Sequence, residues 1–148
     1  MENVTILKTY NLLNSKGNSL QLSLGVQHRE KHTRDTGFRW SFTGTEIPMP
    51  VRSGTWFNGF PEQTMLDWLK GNGWYPRTCV NMHTGRAVVY ELPKGNENYE
   101  IDAALTCALK LMWEKGHRLR AIRLYRHFNE CTMDEAHAAV RDIVDQQS

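Results

Sequence analysis

Histidines, cysteines and arginines are the residues of this chain whose placement invites chemistry. His28-Arg29-Glu30-Lys31-His32 sets two imidazoles around a carboxylate. A zinc-protease helix needs His-Glu-x-x-His, with the Glu beside the first ligand as general base, and here the Glu comes one place late. His28-x-Glu30 is also half of a zinc-deaminase pattern. The other half, Pro-Cys-x-x-Cys, is missing, because Pro76-Arg77-Thr78-Cys79 holds one Cys at the wrong spacing. The segment reads as a solvated charged loop, and no metal or other cofactor is expected. Nucleophilic catalysis needs a thiolate beside an imidazole. Cys79 has His83 across a predicted turn, and Cys131 has His127 and His137 at helix ends. Ordinary core or surface cysteines are the expected reading. No Gly-x-Ser-x-Gly, Walker or dinucleotide fingerprint occurs. With no complete catalytic set, a non-enzymatic protein is expected.

The other chemistry on offer is recognition. Between Lys110 and Arg126 stand Lys110, Lys115, Arg118, Arg120, Arg123 and Arg126 against Glu114 alone. Between Glu130 and Asp145 stand Glu130, Asp134, Glu135, Asp142 and Asp145 against Arg141. A basic section is thus followed by an acidic one. Trp56-Phe57-Asn58-Gly59-Phe60, with Trp68, Trp74 and Tyr75, forms an aromatic cluster. Aromatic rings anchor protein interfaces or stack on bases. Their spacing beside Leu69 assigns Trp68 and Trp74 to the core. Trp56 and Phe57 precede a turn and are the interface candidates.

These groups need elements to hold them. Ala121, Leu124, Tyr125 and Phe128 fall at i, i+3, i+4 and i+7, an apolar helical stripe that Leu119 and Ile122 widen. Arg120, Arg123, Arg126 and His127 fall mostly on the other side. After Asn129-Glu130-Cys131, Thr132 followed by Glu135 predicts a capping box. Met133, Ala136, Val140, Ile143 and Val144 give the next helix its buried stripe, with Asp134 and Glu135 in the first turn, where the macrodipole favours negative charge.

From Leu119 to Val140 the pattern A-I-R-L-Y-R, a turn, then M-D-E-A-H-x-x-V resembles the helix–turn–helix of the C-terminal domain of the bacterial ribosomal stalk protein. That surface docks translation factors. The resemblance implies partner contacts at Arg123, Arg126 and His137. The turn here, Asn129-Glu130-Cys131-Thr132, carries no glycine, unlike that of the family. With Arg120, Trp56 and Phe57, these residues are the expected partner-binding set.

Upstream the period changes. Val4 to Leu13 reads as a strand. Leu20, Leu22, Leu24 and Val26 alternate with polar or small residues, as do Phe38, Trp40 and Phe42, which predicts two half-buried paired strands. Ile47 to Pro50 carries two prolines and stays outside a sheet. Pro61 opens a short helix through Leu69, ended by Gly71 or Gly73. Thr78 to Met82 and Arg86 to Leu92 read as a hairpin around His83-Thr84-Gly85. Lys94 to Asn98 is the linker candidate, followed by helices near 102–115, 118–129 and 132–146. The expected fold is α+β: a β-rich aromatic part, 1–94, then a helical part, 95–148.

A chain of 148 residues buries roughly 68–70% of its unfolded surface, enough for a core without staples. Its net charge of +2, from 18 basic and 16 acidic residues, is not that of a strong non-specific nucleic-acid binder. Three widely spaced cysteines argue against a disulfide framework and for a reducing cytoplasm. No signal peptide and no run of apolar residues long enough to span a membrane is seen. The expected function is therefore docking of a protein partner through the C-terminal hairpin, the profile of small phage or mobile-element proteins that modulate a host machine. The alternative is a modest-affinity nucleic-acid binder using Arg118–Arg126 and exposed aromatics.

Overall fold

The alternating segments form antiparallel strands in the computed structural model, which describes residues 3–28, 38–58, 60–93 and 103–146. The protein is α+β. Strands β1 (Asn3–Leu13), β2 (Ser19–His28), β3 (Phe38–Thr43), β4 (Phe57–Asn58), β5 (Tyr75–Asn81) and β6 (Ala87–Val89) make one six-stranded sheet in the order β4-β3-β2-β1-β5-β6. Every pairing is antiparallel. Helix α1 (Glu62–Gly71) interrupts the strands, and α2 (Ala103–Glu114), α3 (Arg118–Phe128) and α4 (Met133–Asp145) follow them. The expected His28–His32 loop and the Lys94–Asn98 linker lie outside the described residues, apart from the backbone of His28.

Turn chemistry fixes the register. The Asn14 side-chain oxygen accepts from the backbone N–H of Lys16 and Asn18, closing the β1–β2 turn. Pro76 cannot donate to a sheet ladder, yet β5 is an interior strand. A bulge resolves the conflict: Leu12 pairs with Pro76 and Asn11 with Thr78, so Arg77 is the extra residue. Gly73 and Gly116, at φ 84° and 85°, end α1 and α2 in the same way. In each, the next residue's N–H reaches back to a last-turn carbonyl, Trp74 to Leu69 at 2.9 Å and His117 to Met112 at 2.8 Å. The Thr132–Glu135 capping box opens α4 as predicted, with both reciprocal bonds made.

The two sheet faces differ. Tyr10, Leu12, Leu20, Leu22, Leu24, Trp40 and Phe42 pack under Met65, Leu66 and Leu69 of α1 and Trp74. The opposite face presents Thr9, Asn11, Ser41 and Thr78, all buried, and α2 packs against β1, β2 and β5. There Asn11 Nδ2 donates to Thr78 Oγ1 at 3.3 Å, and the Thr9 and Ser23 hydroxyls meet at 3.1 Å. A second core joins Val80 of β5 to Ala108, Leu109 and Met112 of α2, Ala121 and Leu124 of α3, and Val140 of α4. The strand and helical parts thus share a core.

Two stripe residues are corrections. Leu119 is 50% exposed and Met133 38% exposed. Each stands in the first turn of its helix, beyond the reach of the layer beneath, so the buried stripes begin at Ala121 and Ala136.

Candidate functional site

Arg120, Arg123 and His127 recur at i, i+3 and i+7 of α3, one stripe beside the buried Ala121 and Leu124. Across from that stripe runs β6, the last strand of the sheet. Between them lies a groove of about 590 Å3, walled by Gly85 to Val89 on one side and by Arg120, Arg123, Leu124 and His127 on the other, with the buried Met112 at its base. Arg86, Arg120, Arg123 and His127 are all exposed. Among the described residues no acidic side chain lines the groove, and none pairs with any of the four. Arg120 and Arg123, like charges three residues apart on one helix, repel. An anion seated between them relieves that repulsion.

The groove has a fixed end. Gly85 sits at φ 76°, and the His117 ring occupies the place a Cβ would take there. The β5–β6 turn and the α2–α3 turn are therefore in direct contact. Below the groove, Arg77 is 5% exposed, donates from Nη1 to the Tyr90 carbonyl at 2.9 Å, and lies 4.8 Å over the Phe128 ring. This ties the sheet to the last turn of α3.

On the other flank of β6 a second hollow, about 560 Å3, is bounded by Ile6 to Lys8, Cys79, Asn81, His83, Arg86 and Val88. Glu62 Oε2 accepts from Lys8 Nζ at 2.6 Å and from the Tyr10 hydroxyl at 2.7 Å. Burial draws the Lys8 pKa down, but the Glu62 hydrogen bond and charge outweigh it and leave it raised. Burial, then the Glu62 bond, pushes the Tyr10 hydroxyl well up. Burial also raises the Cys79 thiol to about 11, against the opposing pull of Lys8 and Tyr10. Cys79 and His83 share this hollow, but the thiol stays protonated at neutral pH and is a poor nucleophile.

The expected partner-binding residues separate into three places. Arg120 and Arg123 share the groove. Arg126 turns to the hairpin, where its Nε donates to the Cys131 carbonyl at 3.1 Å. His137 lies against Trp113, ring centres 5.8 Å apart, with the Arg118 guanidinium 5.0 Å from the same indole. Trp56 is half-buried, with its ring edge over Gly25. Phe57, expected near a turn, instead forms β4, pairs with nothing but Trp40 in register, and stacks on Phe42 at 5.8 Å. Arg86, His127 and Val88 complete the groove without having been selected as site residues from sequence. The helical spacing of His127 with Arg123 and Arg120 was a usable signal; Arg86 gave none.

Among the described residues no group of three or more His, Cys, Asp or Glu side chains is placed to hold a metal ion. Nor is any described helix long and apolar enough to cross a membrane. No protein-family model matches this chain, and no curated protein or solved structure does so either.

Proposed function

We propose that this protein is an interaction module that docks an acidic segment of another protein in the groove between β6 and α3. One observation carries the reading. The Arg120 and Arg123 guanidiniums and the His127 imidazole line one wall of the groove over an apolar floor, with no carboxylate among the lining residues. Guanidinium forks pair with carboxylates at two points, and Arg is enriched where interfaces concentrate their binding energy. This reading keeps the first helix of the hairpin as the docking element and centres its contacts on Arg120, Arg123 and His127 rather than on Arg126 and His137. The nucleic-acid alternative required the basic helix and the exposed aromatics to act together. Trp56 and Phe57 stand at the β4 edge, across five strand spacings or about 24 Å from β6.

The test is the double substitution Arg120→Glu with Arg123→Glu, measured against a partner isolated by affinity capture and purified. Binding is expected to weaken by about 2 kcal/mol or more, while stability to urea changes by less than about 0.5 kcal/mol. The wild-type affinity is expected to fall as salt rises, because the cations are exposed. A double variant that binds like wild type removes the groove from the interface.

A further inference from the structure

Resting on that docking reading, we infer that the acidic segment binds in extended form, as an added strand on the outer edge of β6. The hydrogen-bond pattern of the hairpin sets this up. The Asn81 N–H donates to the Arg86 carbonyl at 2.8 Å and the Tyr90 N–H to the Arg77 carbonyl at 2.9 Å. In an antiparallel ladder, residues that bond across alternate with residues that face away. Val88, opposite Cys79, therefore faces β5 with its backbone groups. Ala87, opposite Val80, and Val89, opposite Thr78, turn their N–H and C=O groups outward, into the groove. Among the described residues β6 has a partner on one side only, and no hydrogen bond reaches those outward groups.

The side chains supply the specificity that backbone pairing lacks. Ala87 and Val89 point toward the helices and pack on the second core. Val88 points the opposite way and is 56% exposed, beside Arg86 in the second hollow. A strand laid along β6 alternates in the same manner. Every other residue meets Arg120, Arg123 and His127. The residues between meet Val88. The fitting ligand is an extended segment that alternates acidic with apolar side chains. An acidic helix presents no free backbone groups to Ala87 and Val89, and a nucleic acid presents neither a peptide ladder nor alternating side chains.

The probe is a short fluorescent peptide alternating Glu and Val, followed by anisotropy. Two companions carry N-methyl groups on all the Glu or all the Val amides, so one blocks the edge facing β6 and the other the edge facing solvent. One companion is expected to bind about tenfold or more weakly, the other like the parent, since each lost backbone bond weakens binding by about two- to tenfold. Amide exchange at Ala87 and Val89 should slow on binding. Ala87→Pro removes an outward donor without touching the ladder to β5 and should weaken the parent peptide by about two- to tenfold. If that variant unfolds, the exchange measurement on wild type still decides.

Equal binding of both methylated peptides, with no protection of Ala87 and Val89, overturns strand addition. If Arg120→Glu with Arg123→Glu still abolishes that binding, the docking reading survives. If the double reversal has no effect on the peptide or the captured partner, both fail. An unmodified peptide that does not bind overturns strand addition, as does displacement of the bound peptide by a single-stranded oligonucleotide. Protection of Ala87 and Val89 by concentration-dependent self-association, in the absence of peptide, assigns the edge to a second copy instead.

Discussion

At the β4 edge of the sheet, the fully buried Trp40 donates from its indole to the Phe60 carbonyl at 2.9 Å, while Phe57 stacks on Phe42. At the β6 edge, Val88 stands 56% exposed, the backbone groups of Ala87 and Val89 face outward, and the nearest helix sets Arg120, Arg123 and His127 along the groove beside Leu124. One sheet thus ends in two ways. Exposed edges invite pairing with other chains, and proteins shield them with covering groups, short strands or charge. The β4 edge is only two residues long, and aromatics pack on the sheet face beside it. The β6 edge is short and charged, which deters indiscriminate pairing yet leaves room for an oppositely charged strand. The difference teaches that an aromatic cluster and a basic helix, equally eligible as interfaces from sequence, diverge once topology packs Phe57 against the sheet core and sets the helix beside the β6 edge.

The largest effect expected is on the β4 side of the sheet. Trp40→Ala empties a fully buried site and removes the bond to Phe60, so urea denaturation should show a loss of about 3–5 kcal/mol. Where the variant is still folded, peptide affinity at the β6 groove should match wild type. A parallel loss of affinity would mean the two edges are not independent.

A smaller effect is expected in the support of the open edge. Thr132→Ala deletes the cap of α4, the helix packed behind α3, and should cost about 1 kcal/mol. Glu135, which accepts from the Thr132 N–H, has its pKa lowered by that backbone bond first and the Thr132 side chain second. Its folded value lies below the unfolded one. The cap contribution is therefore complete above the ordinary carboxylate range and disappears as pH falls through the folded pKa. Acid titration of helicity should show this component in wild type, reduced but still present in Thr132→Ala, which keeps the backbone N–H, and absent in Glu135→Gln.

At neutral pH the smallest effect is on the flank of β6 away from α3. Tyr10 and Cys79 both have raised pKa values, Cys79 reaching about 11. Each favours its neutral form when folded, so its contribution is full below the unfolded pKa and is lost as pH rises through the folded one. The urea midpoint should hold steady to about pH 8 and fall toward pH 11, since unfolded Cys and Tyr titrate near about 8.5 and 10. Cys79→Ala should remove the lower part of that decline. At pH 8 iodoacetamide should modify the half-buried Cys107 and Cys131 well before Cys79. Rapid labelling of Cys79 would contradict its burial.

Much of this architecture was legible from period and punctuation. Leu20–Val26 and Phe38–Phe42 alternate cleanly because each has one apolar face to bury, and the Thr132–Glu135 box marks a helix start to the residue. The two-residue β4 gave no period to detect. The site was half legible. Arg120 and Arg123 follow from the helical stripe, since any residue opposite Ala121 and Leu124 faces away from the core. Which exposed arginine finds a partner depends on the neighbour it meets. Arg126 meets the Cys131 carbonyl at the hairpin turn. Arg86 joins the groove only because β6 ends the sheet order beside α3, a consequence of long-range pairing that no local window contains.

Gly85 has a bearing on how this surface tolerates change. Gly17 and Gly54 also hold positive φ, 83° and 81°, but with open space around them. Asn, which accepts the left-handed region, should drift into those two positions at little cost. Position 85 is restricted twice, by its φ and by the His117 ring. Related chains should therefore keep Gly85 while varying Arg86, Arg120, Arg123 and His127 around it. A combinatorial library aimed at new peptide preferences would do the same: randomise those four positions, hold Gly85 and His117 constant, and retain a groove of unchanged shape with a rewritten charge pattern.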